Sequence, residues 1–181
     1  LTLYEKRVRA GDLPFFLGLM EHLAARGFTC PTPVKGRDGV ALRHLCNRPA
    51  AIVTFLDGLW PRRIQTLHCA GVGDALARLH LAGDGFAISR PNDLSVAGWR
   101  RLLAASADRA HEVRAGLAEE LSAEFARLES EWPAGLPAGV IHADMFPDNV
   151  FFRDDRLTGV IDFYFACNDA FAYDVEEDVV G

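Results

Sequence analysis

The sequence predicts an α+β fold with two lobes, and three observations support this. Residues 1–56 contain strand-like segments around one amphipathic helical segment. From residue 57 onward the pattern becomes helical, with apolar side chains every three or four positions. A polar loop between two short β-type runs, residues 140–152, interrupts the helical part. We therefore expect a partial N-terminal lobe, residues 1–56, a C-terminal lobe, residues 57–181, and a ligand cleft between them.

The N-terminal elements follow from local patterns. The string LTLYEKRV at residues 1–8 alternates apolar and polar side chains, as a half-buried strand does. Asp12 and Gly27 are expected to cap the two ends of the helix between them. The turn at residues 37–39 predicts a hairpin. Its second strand, residues 51–56, is almost wholly apolar and is expected to be central in the sheet.

The C-terminal lobe is predicted to carry helices and one hairpin. A first helix covers residues 72–83, and Ser95 is expected to cap a short second helix. An apolar stripe from Val113 to Trp132 predicts a long amphipathic helix whose apolar face joins the core. The strings NVFFR and LTGVIDF, joined by a turn, then predict a hairpin over residues 149–162.

The composition argues against several classes of function. The formal net charge is −6, and no basic stripe is present, so nucleic acid is not an expected partner. No apolar run approaches the ~20 residues of a membrane-spanning helix, and no signal-peptide pattern occurs. The cysteines lack the short spacings of zinc ligands and are expected to be free thiols. We therefore expect a cytoplasmic protein that does not contact a membrane.

The polar loop carries the candidate site. His142, Asp144 and Asn149 lie in it, and Asp162 ends the returning strand of the hairpin. The hairpin should therefore bring two carboxylates and a carboxamide to one edge. Such oxygens are the ligands that Mg²⁺ prefers, and phosphoryl transfer needs a carboxylate near the attacking hydroxyl as well as metal ligands. The structural alternative is an Asx-rich turn followed by a capping aspartate.

These strings resemble a known family. HADMFPDN and GVIDF resemble the catalytic and metal-binding loops of the aminoglycoside phosphotransferase/choline kinase family, whose members have a protein-kinase-like fold. LTLYEKRV, GDLPFFLGLMEHLAARG, VIHADMFPDNVFF and GVIDFYFACNDAFAYDV resemble its homoserine kinase branch, from residue 1 to about residue 175. The resemblance implies a two-lobe enzyme, with a partial sheet in the first lobe and a catalytic hairpin in the second. Such an enzyme uses ATP and Mg²⁺ to phosphorylate the side-chain hydroxyl of homoserine, a step in threonine biosynthesis.

The resemblance also implies roles for individual residues. Asp144 corresponds to the catalytic base, and His142 to a residue that supports the loop. Asn149 and Asp162 correspond to the Mg²⁺ ligands, and Asp174 to a buried aspartate that braces the catalytic loop.

Two further groups of residues are expected to contact ligands. Backbone groups at the end of the hinge strand would meet the adenine ring, at Val53, Thr54, Phe55 and Leu56. An acidic mouth around Asp148, Asp169 and Asp174 would suit a cationic amino alcohol. Tyr164 and Asn168 follow the metal aspartate and are expected to face the substrate, although packing beside the hinge is the alternative for Tyr164.

The sequence also departs from the family. The family's nucleotide-covering hairpin would precede residue 1, and Thr2 stands where a phosphate-binding lysine is usual. Lys6 would replace that lysine only if the strand ran differently, and Glu21 and Asp12 are poor fits for the lysine's glutamate partner. Both ends of the chain lie inside pattern elements. We therefore expect part of a longer protein and an incomplete catalytic unit.

Three alternatives stay open at this point. The acceptor could be choline, an aminoglycoside or another amino alcohol, since each carries a cation. A non-catalytic nucleotide-binding module would explain the missing hairpin and lysine, but not the complete set of Asp144, Asn149 and Asp162. A metal-dependent phosphohydrolase could use the same carboxylates, but it would leave the two-lobe order unexplained.

Overall fold

The computed structural model describes residues 1–5 and 8–179. Its helices are α1 (Leu13–Ala25), α2 (Thr66–Gly83), α3 (Val96–Ser106), α4 (Leu117–Glu131) and α5 (Phe171–Val179). Its strands are β1 (Thr2–Leu3), β2 (Arg43–Leu45), β3 (Arg48–Ala51), β4 (Ala138–Ile141), β5 (Val150–Arg153), β6 (Arg156–Val160) and β7 (Cys167–Ala170). The alternative that uses Lys6 lies outside the described residues.

The strands form three small antiparallel sheets. Strands β1, β3 and β2 form one sheet in that order, while β4 pairs with β7 and β5 pairs with β6. Within the described residues no strands pair in parallel. Helices with small antiparallel sheets make this an α+β protein, which confirms the predicted class.

The chain forms two compact units. One comprises Leu1–Arg90 with Pro137–Gly181, and the other comprises Pro91–Leu136. The first contains the seven strands of the described chain with α1, α2 and α5, and the second contains α3 and α4. These two units do not correspond to the two predicted lobes. The predicted boundary between the lobes at residue 57 therefore stays a prediction.

Helix α1 supplies much of the core of the larger unit. Leu13, Phe16, Leu19 and Leu23 recur every three or four residues, and all four side chains are almost completely buried. The predicted end of the helix is confirmed, because Gly27 has φ +80° and the Phe28 amide donates to the Leu23 carbonyl at 3.0 Å. The predicted side-chain cap at Asp12 is wrong.

The Asp12 side chain accepts hydrogen bonds from two arginines and none from the backbone of the helix. Its Oδ2 accepts a hydrogen bond from Arg9 Nε at 3.1 Å and another from Arg90 Nε at 3.0 Å. Asp12 therefore ties the start of α1 to the end of the segment that follows α2. Asp12 also ends a short helical turn and has φ −88° and ψ −15°, whereas a residue that caps a helix with its side chain normally has an extended backbone.

The predicted strand over residues 51–56 is also wrong. Strand β3 ends at Ala51, and beyond it the Ile52 side chain is 53% exposed and that of Phe55 is 89% exposed. Pairing of residues 52–54 is limited to the isolated bridge Pro33–Val53, next to which the Thr32 amide donates to the Thr54 hydroxyl at 2.9 Å and not to a backbone carbonyl. The β2–β3 hairpin exists, but its turn lies at Cys46 and Asn47, which have φ +50° and +60°.

The smaller unit also differs from its prediction. A left-handed Gly116, with φ +76°, precedes α4, so the predicted helix begins at Leu117 rather than near Val113. No residue of α4 is fully buried, and Trp132 meets Trp99 edge-on at 5.1 Å. The apolar stripe is therefore half-buried instead of core. Ser95 precedes α3 as predicted, but it contributes its backbone carbonyl to Trp99 and no side-chain cap.

The structure also bears on membrane insertion. No described helix combines the length and the apolar character that crossing a bilayer requires.

Gly139 provides a test of the packing between β4 and α5. A Cβ atom at this position would lie 2.6 Å from the Phe171 ring. We expect Gly139→Ala to lower the free energy of unfolding by about 1–3 kcal/mol, the usual cost of overpacking. The urea unfolding midpoint of the full-length protein measures this.

Gly11→Ala is the matched control for that substitution. A Cβ atom at Gly11 would meet nothing within 4 Å, so we expect a change within about 0.5 kcal/mol. Equal midpoints for the two variants would contradict the close approach of Phe171 to β4.

Candidate active site

The catalytic loop, defined here as residues 142–149, begins at the end of β4. Ile141 and His142 are fully buried. Ala143 then adopts a left-handed conformation with φ +60°, which is uncommon for a residue with a side chain. After this turn Asp144 is partly exposed. The reversal at Ala143 thus carries the chain from the buried strand to the surface of a cavity within two residues.

The β5–β6 hairpin brings the other two candidate residues to the same place. Asn149 precedes β5 and Asp162 follows β6 by two residues, and the Ile161 amide donates to the Asn149 carbonyl at 2.9 Å. At the far end of the hairpin Asp154 and Asp155 form the turn with φ +48° and +61°. The predicted hairpin over residues 149–162 is confirmed.

The three residues meet around one cavity. Asn149 Nδ2 donates to the Asp144 carbonyl at 2.8 Å and to Asp144 Oδ2 at 3.0 Å. The cavity measures about 510 Å³ and is lined by Trp60, Asp144, Phe146, Pro147, Asp148, Asn149 and Asp162. The sequence predicted that Asp144, Asn149 and Asp162 would converge, and their side chains do so here.

The electrostatics of this cavity are unfavourable for an isolated protein. The pKa of Asp144 is raised to about 6, first by burial and then by the neighbouring carboxylates of Asp162 and Asp148, while the bond from Asn149 acts in the opposite direction. Three carboxylates that repel one another at one surface would gain from a bound cation. The site is therefore suited to positively charged ligands.

Mg²⁺ fits the chemistry of these residues. Asn149 Nδ2 is engaged by Asp144, so its amide oxygen is the atom that remains to bind a cation, beside the oxygens of Asp162. Oxygen ligands of this kind suit Mg²⁺, which usually keeps waters or phosphate oxygens in its other positions. In the part of the chain that the structure describes, no three His, Cys, Asp or Glu side chains group as metal ligands.

The His142 side chain is fully buried and does not line the cavity. Its Nε2 donates to the Ile161 carbonyl at 2.9 Å, and its Nδ1 has no hydrogen-bond partner among the described residues. Burial lowers the pKa of the imidazole, so the ring is neutral and its proton is on Nε2. The ring also meets Phe163 edge-on at 4.8 Å. His142 thereby links the catalytic loop to the segment that carries Asp162.

Asp174 anchors the start of the catalytic loop. It is completely buried. Its Oδ2 accepts the amide of His142 at 3.0 Å, and its Oδ1 accepts the amide of Ala143 at 2.7 Å. Two consecutive amides that lead into the left-handed turn are therefore bonded to one carboxylate.

The predicted nucleotide-binding residues follow β3. Val53 bridges to Pro33, and the Thr54 amide donates to the Thr32 carbonyl at 2.9 Å. Phe55 and Leu56 make no backbone–backbone hydrogen bond within the described residues. The same is true of Val53, because its bridge is made by the hydrogen bonds of the flanking residues, so the backbone groups of all three residues are available for a ligand.

Two of the three predicted substrate residues do not line the cavity. The Tyr164 hydroxyl is 3.0 Å from that of Tyr4, and the Tyr164 ring meets Phe16 edge-on at 5.6 Å. Asn168 exchanges hydrogen bonds with Arg90, since its amide donates to the Arg90 carbonyl and its Oδ1 accepts the Arg90 amide. Asp148, the third, does line the cavity.

Two aromatic residues of the cavity were not predicted from the sequence. Leu59 pairs with Phe152 of β5 through two backbone hydrogen bonds of 3.0 and 2.9 Å, which places Trp60 at the cavity. Phe146 lies in the catalytic loop itself. Both side chains are substantially exposed. The sequence feature that could have indicated them is a large aromatic residue in a segment without a periodic apolar pattern.

A larger cavity of about 690 Å³ lies elsewhere in the same compact unit. Its walls are mostly apolar, as at Ile64, Val72 and Leu76, and none of its lining residues is an acid. Size alone would favour this cavity, but the carboxylates that phosphoryl transfer requires are not there. The smaller, acidic cavity is therefore the candidate active site.

The raised pKa of Asp144 gives a prediction with a definite sign. The folded protein binds a proton at Asp144 between its ordinary pKa of 3.8 and about 6, so the contribution of Asp144 to the free energy of unfolding should fall as pH rises through that range. Of the two neighbouring carboxylates, Asp162 raises the Asp144 pKa more. Asp162→Asn should therefore lower the Asp144 pKa. Carboxyl ¹³C NMR titration without divalent cations measures it.

Asp148→Asn is the comparison for this titration. Asp148 contributes less to the shift than Asp162 does, so its replacement should move the Asp144 pKa in the same direction by a smaller amount. An Asp144 pKa that stays the same in Asp162→Asn would show that the two carboxylates do not interact.

Comparisons with known proteins place the chain in a family. Residues 1–175 match the family model described as "Phosphotransferase enzyme family", APH. The chain is 64% identical over 175 residues to a homoserine kinase of Rhodospirillum rubrum, covering 97% of the chain and 54% of that protein. It is 65% identical over 176 residues to a homoserine kinase of Bradyrhizobium diazoefficiens, with the same coverage. The chain thus spans about half the length of the curated relatives it matches.

Solved structures agree on the fold. An aminoglycoside phosphotransferase from Alicyclobacillus acidocaldarius superposes with a TM-score of 0.63 at 18% identity, over 97% of this chain and 59% of that one. The aminoglycoside phosphotransferase APH(3'')-Id from Streptomyces rimosus, in complex with ADP and streptomycin, has a TM-score of 0.61 at 16% identity, over 93% of this chain and 67% of that one. These likenesses confirm the predicted protein-kinase-like fold, and the family match over residues 1–175 shows that the chain belongs to the APH phosphotransferase family.

Proposed function

We propose that the protein is a homoserine kinase that uses ATP and Mg²⁺. One observation carries the proposal: Asp144, Asn149 and Asp162 line a single acidic cavity in a chain that belongs to the APH family. The choice of homoserine is supported by identities of 61–65% to curated homoserine kinases. Because the chain spans about half of those relatives, the assays below use the full-length gene product.

Asp144 is the proposed catalytic base. Its carboxylate lies at the cavity and would accept the proton of the homoserine hydroxyl as that oxygen bonds to the γ-phosphorus of ATP. The bond between this phosphorus and the bridging oxygen breaks, and ADP leaves with the electron pair. A carboxylate with a pKa near 6 is still ionised at neutral pH and is a better base than an ordinary aspartate.

Asn149 and Asp162 are the proposed Mg²⁺ ligands. When bound, Mg²⁺ would neutralise charge on the transferred phosphate and on the ADP leaving group. The hydrogen bond between the Ile161 amide and the Asn149 carbonyl fixes the two ligands relative to each other before any cation arrives. The bond from Asn149 Nδ2 to Asp144 also relates the metal site to the base.

We also propose contacts for the adenine ring and for the ammonium group of homoserine. Backbone groups in the segment from Val53 to Leu56 are proposed to meet adenine, and those of Val53, Phe55 and Leu56 make no backbone hydrogen bond within the described residues. Asp148 is proposed to attract the ammonium group of homoserine, because it lines the cavity. Tyr164 and Asn168 stay predictions as substrate contacts, since both side chains already have protein partners.

The cytoplasm is the proposed location. ATP is available there, and the free state of the cysteines suits a reducing compartment. Homoserine and ATP are the proposed small-molecule partners.

The first functional prediction concerns the base. Asp144→Asn should lower kcat by about 10²–10⁴-fold, because general-base assistance is lost, while the Kd for ATP stays nearly unchanged. Asp162→Asn should instead raise the Mg²⁺-ATP concentration needed for half-maximal activity. Steady-state kinetics and calorimetric nucleotide binding measure both effects.

Asp154→Asn is the matched control for both substitutions. Asp154 is an exposed turn residue of the same hairpin with φ +48°, a conformation that asparagine tolerates well, so its activity should equal that of the wild type. Full activity in Asp144→Asn would rule out the proposed mechanism.

The second functional prediction concerns the acceptor. In a panel of homoserine, choline, an aminoglycoside and water, read out as ADP release, homoserine should give the highest kcat/KM. Turnover of choline or an aminoglycoside with homoserine inert would keep the kinase and change the substrate. ADP release that needs no acceptor would indicate a phosphohydrolase, and nucleotide binding without release would indicate a binding module.

A further inference from the structure

The segment from Asp162 to Ala166, called the metal segment here, turns sharply before it enters β7. Asp162 has φ +63°, which is uncommon for a residue with a side chain. The Ala166 amide donates to the Phe163 carbonyl at 3.1 Å. The Asp162 side chain is exposed, whereas Phe163 and Ala166 are buried. A backbone of this kind keeps its shape only when its surroundings enforce it.

The start of the metal segment is held by the residue before it. The Ile161 amide donates to the Asn149 carbonyl at 2.9 Å, and the Ile161 carbonyl accepts the bond from His142 Nε2 at 2.9 Å. These bonds fix the backbone on the N-terminal side of Asp162. The C-terminal side needs anchors of its own.

Arg90 anchors the C-terminal end of the metal segment. Its Nη1 donates to the Ala166 carbonyl at 3.2 Å and to the Phe165 carbonyl at the longer distance of 3.4 Å. Its backbone also pairs with Asn168, whose amide donates to the Arg90 carbonyl at 2.7 Å and whose Oδ1 accepts the Arg90 amide at 2.9 Å. Because the backbone bonds do not depend on the side chain, a substitution can remove the guanidinium contacts alone.

The guanidinium group of Arg90 is itself held in place. Its Nε donates to Asp12 Oδ2 at 3.0 Å, and its Cζ lies 5.2 Å from the centroid of the Phe16 ring. The Arg90 side chain is only 12% exposed. A planar guanidinium presents several donors in a fixed geometry, so it can bond to a carboxylate and to carbonyl oxygens at once. Arg90 thereby connects the start of α1 to the metal segment.

We propose that Arg90 is a positioning residue for Mg²⁺ binding, which acts on Asp162 by holding the carbonyls of Phe165 and Ala166. The proposal rests on the proposed function, in which Asp162 is a Mg²⁺ ligand. Arg90 does not line the cavity, and we assign it no contact with Mg²⁺, ATP or homoserine. Loss of its guanidinium should therefore weaken metal binding through the orientation of Asp162, with every ligand still present.

Substitutions in the full-length protein separate the carbonyl contacts from the ion pair. Arg90→Met keeps an apolar stem but removes the guanidinium. Asp12→Ala removes the partner of Nε and leaves the donor to the two carbonyls. Arg78→Met is the matched control, because Arg78 also lies 3.8 Å from an aspartate, Asp74, and donates at 3.4 Å to a carbonyl, that of Gly27. Neither of these partners belongs to the metal segment.

We expect Arg90→Met to raise the Mg²⁺ concentration needed for half-maximal activity by about tenfold or more, since groups that orient metal ligands typically contribute about 10- to 100-fold. The Kd for Mn²⁺ in the complex with ATP, measured by electron paramagnetic resonance, should rise by a similar factor. At saturating Mg²⁺ the loss of kcat should be smaller, because the proposed base is not displaced. Asp12→Ala should raise the Kd for Mn²⁺ less than Arg90→Met does, and Arg78→Met should leave it unchanged.

Equal Mn²⁺ affinities in Arg90→Met and Asp12→Ala would overturn the proposal, because the ion pair would then account for the whole effect. A purely structural role of Arg90 would lower the unfolding midpoint of Arg90→Met and leave the Mn²⁺ affinity of the folded protein unchanged. That result would also overturn the proposal.

Amide hydrogen exchange tests the proposal without metal, nucleotide or acceptor. The reporter is the Ala166 amide, which is bonded to the Phe163 carbonyl within the metal segment. In Arg90→Met its exchange should be at least about tenfold faster than in the wild type or in Arg78→Met, because local opening becomes easier. Unchanged exchange at this amide would show that Arg90 does not hold the segment.

Asp162→Asn distinguishes a failure of this proposal from a failure of the proposed function. If Asp162→Asn leaves the Kd for Mn²⁺ unchanged, Asp162 is not a metal ligand and the proposed function fails, while exchange at Ala166 still decides whether Arg90 holds the segment. If Asp162→Asn weakens Mn²⁺ binding and Arg90→Met does not, only the role of Arg90 fails.

Guanidinium ¹⁵N spectra of the wild type cover the case in which Arg90→Met does not fold. The Nη1 protons of Arg90 should exchange slowly, and rotation about its Nε–Cζ bond should be hindered, because Nη1 is bonded to the two carbonyls. A freely rotating Arg90 guanidinium would rule out the contacts on which the proposal depends.

Discussion

The candidate site depends on the carboxylate of Asp174. It is completely buried and accepts the amides of His142 and Ala143 together with Nε2 of His80. Such a group destabilises a fold if its donors are missing, and it orders its surroundings when they are present. Here the ordered surroundings are the left-handed turn that delivers Asp144 to the cavity. The orientation of Asp144, the proposed base, is therefore set by groups that do not line the cavity.

The carboxylates that line the cavity, by contrast, repel one another. Asp144, Asp148 and Asp162 face one cavity, and the pKa of Asp144 is raised to about 6 by burial and by the other two. This repulsion is relieved when a cation binds, so part of the binding energy of a metal or an ammonium group comes from the site itself. The hydrogen-bonded start of the catalytic loop is rigid, and the cavity surface is electrostatically strained. A phosphotransferase needs both, because its catalysis consists mainly of positioning and charge stabilisation.

Sequence patterns predicted what is determined locally. Helix α1, the β5–β6 hairpin and the grouping of Asp144, Asn149 and Asp162 all follow from periodicity and turn residues within short segments. The failures have a different origin. The apolar run at residues 51–56 has β character, but whether it pairs depends on another segment of the chain, with which it forms only the isolated bridge Pro33–Val53. Likewise, His80 stands in an apolar helical stripe, and only the fold reveals that it meets Asp174, 94 residues away.

The comparisons also indicate where acceptor choice is encoded. Solved structures at 16–18% identity share this backbone fold, so the fold alone does not select a substrate. Selection must then come from side chains that face the acceptor. In the proposed function the acceptor binds in the cavity, where Trp60 and Phe146 lie beside Asp148 because of the bridge between Leu59 and Phe152 and the position of the catalytic loop. Aromatic surfaces next to a carboxylate favour a small cationic ligand through its ammonium group. The parts of the cavity that sequence motifs did not reveal are therefore the parts suited to distinguish one acceptor from another.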